Sequence, residues 1–218
     1  MGKSVQSPYS PREEIVHAVS HGLGFLLSAV GLVVLMAAAA GRGEARHVVA
    51  CAIFGTSLVL LYAASTLYHG IPSPRMKRLL RVADHAAIYL LIAGSYTPFA
   101  LVHLADAWGL ALLAVIWSLG IFGIALEFAA PRTARRFALP LYLAMGWLVV
   151  LAIAPLARAL GEQGLALLVL GGLAYTGGVV FYAWRRLPYH HAIWHGFVLA
   201  GSALHFSCVL GYVVPAAG

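Results

Sequence analysis

Val48-Val49-Ala50-Cys51-Ala52-Ile53-Phe54-Gly55-Thr56-Ser57-Leu58-Val59-Leu60-Leu61-Tyr62-Ala63-Ala64-Ser65-Thr66-Leu67-Tyr68-His69-Gly70 is a run of 23 residues without a single Asp, Glu, Lys or Arg. An α-helix needs about 20 mostly apolar residues to cross the hydrocarbon core of a bilayer, so this run predicts a membrane span. The pattern recurs on both sides of it. Similar runs fall at 15–39, 83–103, 107–129, 138–157, 163–184 and 191–214, which with 48–70 makes seven. Gly41-Arg42-Gly43-Glu44, Pro72-Ser73-Pro74, Pro131-Arg132 and Leu187-Pro188 break the runs with turn-forming and charged residues.

Composition agrees with this reading. Of 218 residues, 62% are hydrophobic and 10% charged, too apolar for the interior of a soluble domain of this length. The expectation is an all-α membrane protein: one seven-transmembrane helix bundle over 1–218, with 1–14 as a short segment before the first span. The net charge of +7 does not indicate nucleic acid, because the cations are scattered among short loops between apolar runs. The two cysteines, Cys51 and Cys208, lie within apolar stretches and are expected to be buried free thiols rather than a disulfide. Met36-Ala37-Ala38-Ala39-Ala40 resembles a signal-peptidase site. The apolar run before it is longer than an ordinary signal and is entered by Glu13, Glu14, His17 and His21, which predicts a retained helix.

Loop charge sets the direction. Lys3 and Arg12; Arg75, Lys77, Arg78 and Arg81; Arg132, Arg135 and Arg136; and Arg185 and Arg186 all fall on one side, eleven cations in all. Arg42, Arg46 and Arg158 fall on the other. Positive charge stays inside, so the N-terminus is expected in the cytoplasm and the C-terminus outside, the reverse of a G-protein-coupled receptor. The expected location is a multi-pass position in the cell (plasma) membrane.

This topology brings polar residues distant in sequence to one depth. Span two ends at His69, span three begins with Asp84, and the last span begins with His191 and His195. His17, His21 and Glu127 lie at the same end. Ionisable groups at membrane depth are costly and tend to be functional. Residues four apart share a helix face, so His191 and His195 can turn toward one ion, and Ser65 lies one turn from His69. Three neutral imidazoles leave a fourth tetrahedral position on zinc, and such an ion lowers the pKa of a water from 15.7 to about 7. Asp84 would then orient the water or shuttle its proton, with Ser65 hydrogen-bonding nearby. Plainer roles stay open: a hydrogen-bonded His191–His195 pair, His69 capping helix carbonyls, and Asp84 as the N-cap of span three. His17 and His21 read as a supporting polar network with Glu13 or Glu14, with a second metal site as the alternative. His205, about 15 Å along the helix from His195, reads as a buried hydrogen-bonding residue; His47, His103 and His190 read as interfacial.

At these residues the chain resembles the hemolysin III family, within the larger progestin and adipoQ receptor family. The resemblance lies in Glu13-Glu14-Ile15-Val16-His17-Ala18-Val19-Ser20-His21-Gly22, in Ser65-x-x-x-His69, and in Asp84-His85-Ala86-Ala87-Ile88-Tyr89 running on to Gly94-Ser95-Tyr96-Thr97-Pro98. It continues in His191-Ala192-Ile193-Trp194-His195 and Ser202-Ala203-Leu204-His205-Phe206. It implies a seven-helix membrane fold with the N-terminus inside. It also implies zinc on His69, His191 and His195, with Asp84 and Ser65 beside the bound water as the catalytic pair. The function implied is zinc-dependent hydrolysis of lipid amide bonds, ceramidase-like, at the cytoplasmic leaflet, with membrane lipids as partners. The alternatives are a non-enzymatic sensor or regulator of membrane-lipid homeostasis with structural zinc, and a membrane-perturbing hemolysin.

Overall fold

A computed structural model describes residues 9–216, so Lys3 and most of the 1–14 segment lie outside the described residues. The described residues are all-helical, without strands. They form α1 (Pro11–Ala40), α2 (Ala45–Gly70), α3 (Pro74–Val102), α4 (Ala107–Ala129), α5 (Pro131–Trp147), a 3-10 segment (Leu148–Ala152), α6 (Ile153–Ala183), α7 (His190–Cys208) and a π-helical segment (Val209–Val213). Among the described residues, six helical stretches are long and apolar enough to cross a membrane, the longest being Pro131–Ala183 at 53 residues.

Local chemistry accounts for the helix starts. Ser10 caps α1 in a capping box: its hydroxyl accepts from the Glu13 amide, and the Glu13 carboxylate accepts from the Ser10 amide. Pro11 occupies the first turn, where no amide hydrogen is needed. Pro74 does the same for α3, which therefore begins nine residues before the apolar run at 83. The cation-rich segment 75–81, read from sequence as a loop, is the first two turns of that helix. Asp84 consequently lies inside α3 and is not its N-cap.

An apolar core fills most of the bundle, and the buried polar residues add to it on inward-facing stripes. On α1 the buried residues are His17, His21, Gly24, Ser28, Leu35 and Ala39, one stripe at helical spacing. Its exposed face carries Ile15, Val19, Leu23, Leu26, Val30 and Val33. A lipid-facing surface requires this arrangement, and small residues in the interior permit close helix approach. Gly94 shows how close: a Cβ there would lie 2.4 Å from the Ser57 hydroxyl of α2.

The helices stand around a ring nearly in chain order. Neighbours along the chain pack on one another from α1 to α4, α5 leans on α4 and α3, α6 packs on α7, and α7 returns to α1. Side-by-side contact between α5 and α6 is slight. The helical stretch they share is interrupted twice. At the first interruption the Tyr96 hydroxyl of α3 inserts into the ladder: it accepts from the Val149 amide at 2.7 Å and donates toward Met145 O at 2.7 Å. Pro155 removes a further ladder bond nearby, and the backbone tightens into the 3-10 segment. At the second, Gly161 takes φ 66°, ψ −177°, a conformation essentially restricted to glycine. Cys51 and Cys208 are buried free thiols, as the sequence indicated.

A Cβ at Gly161 would meet nothing within 4 Å, so the constraint there is purely conformational. Gly161→Ala is expected to cost about 1–3 kcal/mol and to lower the melting temperature in detergent. Gly172→Ala, helical and equally uncrowded, should leave it unchanged or slightly raised. Equal melting temperatures for the two variants would contradict this.

Candidate metal centre

The end of the bundle that holds the start of α1 gathers six histidines: His17, His21, His69, His190, His191 and His195, all buried. His69 comes from the last turn of α2, and His191 and His195 from the first two turns of α7. One ligand nitrogen from each of these three lies within 4.8 Å of the other two, and their ring centroids stand 4.6–5.3 Å apart. The structure thus brings together the three histidines singled out in the sequence.

Hydrogen bonds fix the proton positions on two of the rings. The Ser20 hydroxyl donates to His17 O at 2.9 Å, and its oxygen lies 2.9 Å from His195 Nδ1. A hydroxyl has one proton to give, so His195 donates from Nδ1 and keeps its Nε2 lone pair. His69 Nδ1 donates to Glu14 Oε2 at 2.6 Å, which leaves Nε2, buried and without a hydrogen-bond partner, as the free lone pair. Nδ1 of His191 is also buried and unpartnered. Leaving such atoms unsatisfied costs about 1–3 kcal/mol each. A divalent cation accepts lone pairs of this kind, and a carboxylate behind a metal-bound imidazole is a common outer-shell arrangement. The residues present therefore fit a zinc-type ion.

Glu14 is itself held. Lys77 Nζ donates to Glu14 Oε1 at 2.7 Å and to Tyr68 O at 2.9 Å. Lys77, on the first turns of α3, therefore both caps the end of α2 and anchors the carboxylate behind His69. The ring of His69 faces Glu14 instead of the helix carbonyls. The network expected of His17 and His21 with Glu13 or Glu14 runs instead from Glu14 to His69 and Lys77, while His21 pairs with Ser65; the part played by Lys77 was missed. The signal available was a lysine eight residues past His69 across a tight Pro72-Ser73-Pro74 turn.

Asp84, Ser65, His21, His191 and His195 line one end of a cavity of about 1000 Å³. Ser65 Oγ is 2.7 Å from His21 Nδ1 and lines the same cavity as Asp84. The cavity continues away from this polar end between Leu91, Phe99, Leu143, Ile153, Val179 and Val198. Asp84 and Ser65 thus stand beside the histidine trio, facing a long apolar chamber. The His21 ring stacks on His195 at 3.4 Å and 10°, which orients that ring further.

The remaining histidines divide. His205 Nε2 bonds Leu168 O at 3.1 Å, as read from sequence. His103 Nε2 bonds Tyr212 O at 3.2 Å at the other end of the bundle. His47 and His190 are buried rather than interfacial; helix packing closes over them, and His190 Nδ1 meets Phe181 O at 3.0 Å. His85 approaches the buried Glu127 at 3.5 Å, away from the trio.

Breaking the Lys77–Glu14 pair strands a buried charge, so Lys77→Met should destabilise the fold by about 3 kcal/mol. The double variant Lys77→Met/Glu14→Gln should be less destabilised than the two single effects added together. Additive effects in thermal unfolding would show the pair to be uncoupled.

Comparison with known proteins places the chain among membrane proteins of one kind. The family model described as "Haemolysin-III related" matches residues 9–206. "Hemolysin-3" of Bacillus cereus is 47% identical over 206 residues, 94% of each chain. "Hemolysin-3 homolog" of Bacillus subtilis (strain 168) is 46% identical, over 94% of this chain and 97% of its own. The more distant "Monocyte to macrophage differentiation factor" of Homo sapiens is 30% identical over 169 residues, 74% of this chain and 69% of the human one.

Proposed function

The chain belongs to the haemolysin-III-related family, and from that premise we propose that it is a zinc-dependent hydrolase of lipid amide bonds, ceramidase-like, working from the cytoplasmic leaflet of the plasma membrane. A single juxtaposition carries the proposal: three buried imidazoles with free lone pairs share one end of an apolar cavity with Asp84 and Ser65.

Membrane geometry supports it. A helix of 53 residues would extend about 80 Å at 1.5 Å per residue, against a hydrocarbon core of about 30 Å. The Pro131–Ala183 stretch is therefore read as two crossings divided at Gly161, for seven in all. With the cation-rich loops inside, the N-terminus is cytoplasmic, the C-terminus external, and the histidine cluster sits near the inner leaflet. There an amide joining acyl chain to head group meets the polar end of the cavity, and the acyl chain fits its apolar length. The slight contact between α5 and α6 is the natural lateral entry from lipid.

His69, His191 and His195 would hold the ion, with Glu14 fixing the first of these and Ser20 the third. When bound, zinc would polarise the amide carbonyl and acidify a water. Asp84 takes a proton from the attacking water and returns it to the leaving nitrogen as the C–N bond breaks. Ser65, hydrogen-bonded to His21 and lining the cavity with Asp84, offers a hydroxyl to the water or the lipid amide. The apolar walls exclude bulk water and hold the acyl chain in register.

A second reading rests on the printed names of the Bacillus relatives, which suggest lysis of membranes. A third keeps the ion but makes it purely structural, in a sensor of membrane-lipid state. The three separate experimentally. Asp84→Asn should reduce lipid turnover by about 10²–10⁴-fold while zinc content stays at the wild-type level; His195→Ala should lose both. Lipid mass spectrometry and metal analysis of the purified proteins provide the readout. Zinc retained with no turnover in the wild type would favour the structural ion. Release of dye from liposomes without new lipid species would favour lysis.

A further inference from the structure

His17 is the one ring of the histidine cluster for which both nitrogens are buried and without a hydrogen-bond partner, and its residue exposure is 0%. It stands on α1, one turn before His21. Its centroid lies 4.8 Å from His69, 4.9 Å from His191 and 5.4 Å from His195. Those separations match the 4.6–5.3 Å among the trio itself, so the four rings form a nearly regular tetrahedron. In a tetrahedral zinc site with Zn–N of about 2.0–2.1 Å, and ring centres about 1.1 Å behind each nitrogen, centroids would lie about 5.2 Å apart.

We propose that His17 is a fourth ligand of the ion, so that the resting site is closed by four imidazoles from α1, α2 and α7. This rests on the metal-binding reading above and deepens it. A separate second ion on Glu14, His17 and His69, whose ligand atoms also come within 4.8 Å of one another, is the weaker arrangement. Both oxygens of Glu14 are already engaged, by His69 Nδ1 and by Lys77, and His69 has only Nε2 left to give. Nothing competes in this way for the nitrogens of His17. Its ring must turn about its side-chain bonds to direct a nitrogen at the ion, and the centroid spacing leaves the backbone where it is. Neither His17 nor His69 lines the cavity, whereas His191 and His195 do. A ligand arriving through the cavity reaches the ion past His191 and His195. It would displace His17 or raise the coordination number to five.

The test is zinc K-edge X-ray absorption on the zinc-loaded full chain in detergent, with His17→Gln alongside. The wild type should show outer-shell scattering from four imidazoles. His17→Gln should show three with an oxygen in the vacant place, and its zinc affinity should fall by at least the roughly 10–100-fold that loss of an outer-shell partner costs. Visible bands of the cobalt-substituted proteins should differ between the two in the same sense. Three imidazoles in the wild type, with spectra unchanged by the substitution, would overturn the role of His17 and leave the trio standing. A wild-type protein that takes up no zinc would overturn both readings. If His17→Gln does not fold, the wild-type imidazole count decides by itself.

Discussion

Buried imidazole nitrogens that no protein group satisfies are the constraint around which this bundle is organised. Each unsatisfied nitrogen costs about 1–3 kcal/mol, and the histidine end of the molecule concentrates several within one small volume. An apolar bundle gains nothing by folding such groups inward unless something else completes them. The hydrogen bonds that do exist sharpen the point. Ser20 and Glu14 each occupy the Nδ1 of an imidazole and leave the other nitrogen free, aimed at a common centre. A merely structural polar cluster would be expected to pair its rings with one another or with backbone carbonyls, as His190, His103 and His205 do elsewhere in this protein. The trio instead presents unshared electrons.

Support for the cluster comes from the helix end least apparent in a hydropathy plot. Lys77 ties together three elements: the carboxylate of Glu14 on α1, the terminal carbonyl of Tyr68 on α2, and its own turn at the start of α3. A buried ammonium is tolerable only with such full coordination. Glu13 adds a bond from α1 to the Tyr189 amide at the start of α7. The four helices that carry Glu14, His69, Asp84 and His191 are therefore joined at this one end by charged groups, while farther along they are held by apolar packing. Charged ties at one end hold the geometry of the histidine cluster independently of the apolar packing farther along.

Much of this was legible in the sequence because membrane crossing imposes two simple rules, length and loop charge, and topology then forces residues distant in sequence to one depth. That logic placed His69, His191 and His195 together, and the structure brings them together. It located Asp84 and Ser65 at the right end as well, though it left Asp84 open as an N-cap. The error there has a physical source. Segment 75–81 is too charged to count as a span, yet Pro74 at its first turn makes it a good helix start, and hydropathy cannot separate amphipathic helix from loop. The continuous 131–183 stretch was hidden for the opposite reason. The gap between the runs 138–157 and 163–184 contains Gly161, but helix on both sides of that residue and the inserted hydroxyl of Tyr96 leave no mark on composition. His17 was seen as support for the site; only three-dimensional spacing shows its ring to be equidistant from the other three.

That equidistance bears on how a closed site could still be a catalytic one. With His17 as a fourth ligand, the ring would have to yield or share the ion when a carbonyl arrives past His191 and His195. α1 packs on α2 and α7 through small and polar residues and turns a broad apolar face outward. Glu13 and Glu14 tie its first turns to α7, α2 and α3, so the exchange would fall to the His17 ring and not to the helix. Occupancy of the apolar chamber and the coordination of the ion would then be two aspects of one mechanical state. A protein built in this way could report the presence of a lipid chain as readily as it could cut one, because the same ring that closes the resting site is the one displaced when the chamber fills.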